Sequence, residues 1–173
     1  MEANYRGRPV KVVMSVPSSS QSSANATTPR SVSTDTNTAI NNTAKSFLGS
    51  SEANAQQKLQ NFIRQNSGAN LNIRTTPWCA AFANSVLGSL GLPTTHSNLA
   101  KSFLNYGGGV WNRSGGGSLA NAKPGDIAVF NRNGMGHVGF VQSISGDRIT
   151  VIGGNQSDPN SGGQVSYSTR NIN

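Results

Sequence analysis

The segment Thr75-Thr76-Pro77-Trp78-Cys79-Ala80-Ala81-Phe82 is where the fold is read. A threonine before a proline before an apolar run is a helix start, with Thr76 as N-cap and Pro77 at the first helical position. The helix runs on through Ala83, Val86, Leu87 and Leu90, and Gly91 closes it. Upstream, Ala55, Leu59, Phe62 and Ile63 fall on one helical face between Glu52 and Gln65, and Asn66-Ser67-Gly68 supplies a C-cap signal. Downstream, Ser97 opens a short helix containing Leu99, Ala100, Phe103 and Leu104, and residues 107–117, with six glycines, read as loop. The pattern then changes to strands, expected over 126–132, 137–143, 148–152 and 164–169. Pro124-Gly125, Asn133-Gly134-Met135-Gly136, Gly146-Asp147 and Gly153-Gly154 punctuate them. Helices followed by an antiparallel meander define an α+β class, with N-terminal helices packed on a small antiparallel sheet.

Residues 1–50 differ from the rest. Ser18-Ser19-Ser20, Thr27-Thr28 and Asn41-Asn42 stand among scattered alanines, and Pro9, Pro17 and Pro29 interrupt helices. Only Ala39 to Leu48, through Ile40, Ala44, Phe47 and Leu48, has helical spacing, and it is weak. Such a composition does not build a core, so residues 1–50 are expected to be a low-complexity arm, disordered or held by a partner, and residues 51–173 the globular domain. In the whole chain of 173 residues, 34% are hydrophobic and 12% charged, both low for a compact domain. The net charge of +8 favours a polyanionic partner, such as nucleic acid, anionic lipid or a bacterial wall, without choosing among them. No apolar run approaches the ~18 residues of a membrane span. Val10 to Val16 is too short for the apolar core of a secretory signal, so export by the general route is not expected.

The single cysteine is expected in the first turn of its helix. Unpaired backbone N–H groups and the positive end of the helix dipole there favour a thiolate, and the Cys79 N–H can face an oxyanion. A cysteine nucleophile needs a base, and the chain offers only two histidines. His137 opens a strand, with Gly136 and Gly139 leaving it unencumbered and Val138, Phe140 and Val141 anchoring it, which is a rigid mount for a general base. His96 reads as an exposed residue before a helix. The imidazole must be held in one tautomer by a third group, and a short hairpin at Gly146-Asp147 brings Asn155 back beside His137.

Four segments carry a family resemblance: Thr76 to Phe82, Pro124-Gly-Asp-Ile-Ala-Val-Phe130, Gly136-His-Val-Gly-Phe140 and Gly153-Gly-Asn-Gln156. They resemble CHAP domains, the cysteine, histidine-dependent amidohydrolases and peptidases, most closely the branch found in bacteriophage lysins, as does Leu99 to Gly107. The resemblance covers roughly residues 51–170. It implies a papain-like fold, with Cys79 as nucleophile, His137 as base and Asn155 as orienting residue, acting on amide bonds in the peptide part of peptidoglycan. Many CHAP domains carry an acidic residue two places before that asparagine; here it is Gly153, which implies a triad. No cofactor and no metal is implied. The expected setting is a virion or the host cell and periplasm, with a virion structural protein as partner of residues 1–50.

Plainer roles compete at each position. An isolated cysteine or strand histidine is most often a packing residue. Asparagine after Gly-Gly is often only a turn residue. Trp78 lines a substrate groove or packs in the core. A zinc hydrolase needs three ligands, and no His-x-x-His or Cys-x-x-Cys spacing exists to supply them. A glycosidase needs a carboxyl pair, and 51–173 holds only Glu52, Asp126, Asp147 and Asp158. The remaining rivals are a non-catalytic virion or wall-binding protein on the same fold, and a nucleic-acid module. Scattered basic residues without interleaved aromatics speak against the latter.

Overall fold

A computed structural model describes residues 10–16, 29–113, 115–131, 136–158 and 162–172. The chain order is β1 (Val10–Ser15), α1 (Pro29–Lys45), α2 (Gln56–Ser67), α3 (Cys79–Ser89), a 3-10 turn (Ala100–Asn105), β2 (Gly108–Asn112), a second 3-10 turn (Leu119–Asn121), β3 (Ile127–Phe130), β4 (His137–Ser145), β5 (Arg148–Asp158) and β6 (Gly162–Asn171). The class is α+β, as the pattern of helices and strands implies. The strands form one six-stranded antiparallel sheet in the order β2-β1-β3-β4-β5-β6.

Alternation along the strands divides the core between the two faces of the sheet. Val12, Met14, Ile127, Val129, Val138 and Phe140 face the helices, where they join Leu59, Ile63, Phe82 and Val86. Val13, Ala128, Phe130 and Val141 face the other way, with Leu119, Ile149 and Val151. Helix α3 is buried on every side from Cys79 to Leu87, so it is the central element against which the helices and the sheet pack.

Residues 1–50 are not a separate arm in their described parts. Strand β1 lies inside the sheet, where Val13 pairs with Trp111 of β2 and Ala128 of β3. Ile40, Ala44 and Phe47 are buried at helical spacing in the main core, and the Phe47 ring lies 4.4 Å from that of Phe62. Polar contacts complete the docking. The Asn37 amide donates to the carbonyl of Pro124 (2.9 Å) and to Asp126 (3.2 Å), and Gln142 donates to the side-chain oxygen of Asn41 (2.6 Å). At Gly125, φ is +93°, and a Cβ there would lie 2.7 Å from Asn37, so only glycine admits this helix. The segment 49–52 then bonds to β6: Gly49 N–H to Val165 O, Val165 N–H to Ser50 O and Glu52 N–H to Gly163 O, each 2.9 Å. Composition misleads here because α1 needs only a narrow apolar stripe, and its Asn37 and Asn41 bond across the fold, to the turn before β3 and to Gln142 of β4. A tether read from composition alone loses its premise for these residues.

Two other expectations change. The glycine-rich stretch 107–117 is not all loop, since β2 occupies Gly108–Asn112. The helix expected from Ser97 is a 3-10 turn beginning at Ala100, and Leu99 is exposed. Strands β4, β5 and β6 extend beyond the ranges expected for them, while β3 is shorter. Of the turn expected at 133–136, residues 133–135 lie outside the described residues.

Candidate active site

Helix α3 begins at Cys79, two residues later than the Thr-Pro signal implies. Trp78 is its N-cap residue, and no side chain caps it. Thr75 and Thr76 are instead held in a turn by their N–H bonds to Asn72 O (3.1 and 2.9 Å). The first ladder bond runs from Phe82 N–H to Trp78 O (2.8 Å), so the N–H groups of Cys79, Ala80 and Ala81 lie before the ladder starts.

The entry to α3 packs directly onto β5. A Cβ on Gly154 would sit 2.7 Å from the Trp78 ring and 2.9 Å from Phe82. Trp78 itself is fully buried, with its indole N–H bonded to Glu52 Oε1 (3.1 Å). It is therefore a packing residue that seats the helix, not a groove-lining one as the sequence left open. Glu52, which reads as an edge residue, supplies the acceptor that a buried indole needs.

The sulfur of Cys79 meets β4. The backbone N–H of Val138, one residue beyond His137, approaches the thiol, as do the N–H groups of Ala80 and Cys79 itself. Burial is the larger influence: only 5% of Cys79 is exposed, and desolvation pushes the thiol pKa up from its ordinary value. Burial thus opposes the thiolate that the N–H groups of the helix start favour. A neutral thiol at neutral pH must hand its proton to a base as it attacks. Alkylation by iodoacetamide should accordingly be slow at pH 7. It should rise about tenfold per pH unit to beyond the ordinary thiol range. A plateau reached already below pH 7 would mean a preformed thiolate.

His137 opens β4 after Gly136 (φ +79°), opposite Phe130, whose ring centroid lies 6.0 Å from its own. Its ring is 1% exposed and lies over Gly153, where a Cβ would come 3.6 Å from Nε2. Nε2 is 3.2 Å from Oε1 of Gln156, and Gln156 donates from Nε2 to the carbonyl of Ser166. Gln156 is thus a side-chain partner of His137 on β5. Asn155, expected in that role, has φ +56°, and its Oδ1 lies 2.5 Å from where a Cβ on Gly163 would be. No signal in the sequence distinguished Gln156 from its neighbour, because the extra residue that turns it toward His137 is a property of strand register.

His96 is exposed with φ +53°. It lines a polar depression of about 260 Å³ with Ser67, Asn84, Ser97 and Asn98, and none of these residues belongs to the Cys79–His137 region. Among the described residues, no three His, Cys, Asp or Glu side chains gather as metal ligands. No helix of the described residues is long and apolar enough to cross a membrane.

A cysteine at a helix start, a histidine opening the adjacent strand and an amide behind that histidine are the groups that a cysteine-nucleophile hydrolase combines. The CHAP domain family model matches residues 72–155, from the turn before Cys79 to the bulge in β5. This part of the chain is similar to that domain, which generally denotes cysteine, histidine-dependent amidohydrolases and peptidases of the peptidoglycan-hydrolase type. Strand β1, helices α1 and α2 and strand β6 lie outside the match. No curated protein and no solved structure matches the chain at a significant level.

Proposed function

We propose that the chain hydrolyses an amide bond in the peptide part of bacterial peptidoglycan, with Cys79 as nucleophile and His137 as general base. The observation that carries this reading is the approach of the Val138 N–H to the Cys79 thiol, which sets the nucleophile against the first residues of β4. As the sulfur attacks the carbonyl, His137 takes the thiol proton. The developing oxyanion faces the N–H groups at the start of α3. The imidazolium then gives its proton to the leaving amine. A water, deprotonated by the same imidazole, attacks the thioester, releases the carboxylate and restores the thiol. Mass spectrometry of muropeptides after digestion of purified walls tests the reading. New amine and carboxyl termini at one amide bond support it, and undigested walls would overturn it.

His137→Ala should cost ~10²–10⁴-fold in rate, the usual contribution of a general base, whereas His96→Ala should leave the rate unchanged. The opposite pattern would move the base to the polar depression. Chelator should leave digestion intact, and alkylation at alkaline pH should stop it. Loss in chelator with recovery on adding zinc would favour a metal hydrolase. A phage setting rests on the resemblance to lysin CHAP domains alone. Detection of the chain in purified virions, or its absence from them, tests that setting.

A further inference from the structure

We infer, resting on the hydrolase reading above, that Gln156 is the positioning residue for His137 and that Asn155 serves through its backbone, as the left-handed residue of a bulge. Hydrogen-bond chemistry fixes the first half. The carbonyl of Ser166 can only accept, so the atom of Gln156 bonded to it is the amide nitrogen. The other end of the same side chain, Oε1, therefore faces His137 and can also only accept. The Nε2 of His137 must then carry its proton toward Gln156, which leaves the lone pair of the neutral ring on Nδ1. A carbonyl on β6 thus selects, through one amide, the nitrogen of His137 that receives the thiol proton.

Register fixes the second half. Gly153 pairs with Ser166, and the next pair is Gln156 with Gln164, so β5 advances three residues while β6 advances two. One residue is extra, which is the definition of a β-bulge. Three steps along a regular strand would put Gln156 on the face opposite Gly153. The bulge returns it to the face where the His137 ring lies over Gly153. A bulge of this kind requires a residue at positive φ, and Asn155 has φ +56°. Asparagine is, after glycine, the residue that accepts this conformation most readily. The run Gly-Gly-Asn-Gln is then a conformational unit that aims its last residue at His137.

The test separates amide from backbone with four variants of the full chain. Asn155→Gly keeps the left-handed conformation and removes the amide; Asn155→Val keeps neither. Gln156→Leu removes the acceptor at similar volume; Gln156→Glu restores an acceptor as a carboxylate. Two readouts apply: the rate of wall digestion, and the His137 tautomer from long-range ¹H–¹⁵N NMR, which needs no substrate. Wild type and Asn155→Gly should both show the Nε2–H tautomer and similar rates. Gln156→Leu should lose the tautomer preference and slow digestion, by less than the ~10²–10⁴-fold of removing the base. Gln156→Glu should recover the Nε2–H form and move the acid limb of the rate profile to higher pH, because a carboxylate favours the imidazolium. Asn155→Val should resemble Gln156→Leu. The assignment fails if Asn155→Gly loses rate and tautomer as Gln156→Leu is expected to, or if Gln156→Leu changes neither. If wild type digests no wall, the hydrolase reading fails, while the tautomer in these variants still decides the roles of Asn155 and Gln156.

Discussion

Cys79→Ala is expected to abolish wall digestion while leaving melting behaviour close to that of wild type. The position is buried against Val138 and opens α3, and alanine is an excellent helix residue that removes only the sulfur. The small volume lost lies at the start of the helix. Covalent catalysis cannot proceed without the nucleophile, so the loss should reach the detection limit. Cys79→Ser should be nearly as inactive, because an alcohol is a far weaker nucleophile than a thiolate at neutral pH. Zymograms on purified walls with circular dichroism on the same preparations check both halves. Full digestion by Cys79→Ala would remove the cysteine mechanism; a collapsed melting temperature would make the variant uninformative about chemistry and transfer the test to Cys79→Ser.

Deletion of residues 1–50 should destroy the fold. Among the described residues, the deletion removes five buried apolar side chains larger than alanine: Val12, Val13, Met14, Ile40 and Phe47. At about 1.5–3 kcal/mol each, their loss is of the order of 10 kcal/mol, which matches the whole stability of an ordinary domain at about 5–15 kcal/mol. It also opens β3 to solvent along the edge that β1 covers and leaves Asp126 without the Asn37 amide. Burial already raises the Asp126 pKa against two hydrogen bonds that lower it, so losing one makes the charged form still costlier there. The truncated chain should be insoluble or unfolded by circular dichroism and inactive. A folded, active chain starting at Ser51 would mean that β1 and α1 are dispensable cover.

Local signals made much of this molecule legible. The apolar spacing of Leu59, Phe62 and Ile63 gives α2, and the Gly146 turn gives the β4–β5 hairpin, because these depend on residues near in sequence. The pairing of Cys79 with β4 was legible too, since one cysteine and two histidines leave few combinations. What escaped depends on distant partners. Val10 to Val16 is a poor signal for anything in isolation and becomes a strand because β2 and β3 present edges to it. Asn37 and Asn41 are polar by any scale, yet bond to Pro124 and Gln142 across the fold. Gln156 lay one residue from the position expected, because a bulge reverses the face that counting by twos assigns.

The place of β1 in the sheet governs the order in which the molecule can be made. The strand leaves the ribosome well before its neighbours, β2 at Gly108–Asn112 and β3 at Ile127–Phe130. For most of synthesis, Val12, Val13 and Met14 have nothing to pair with, and the sheet cannot close until Phe130 has emerged. Contacts of such long sequence separation slow folding and leave unpaired strand edges exposed in the meantime. His137 and Gln156 are made later still. A ribosome-bound chain therefore holds Cys79 for the length of some sixty residues before the strand that carries His137 can pack against it.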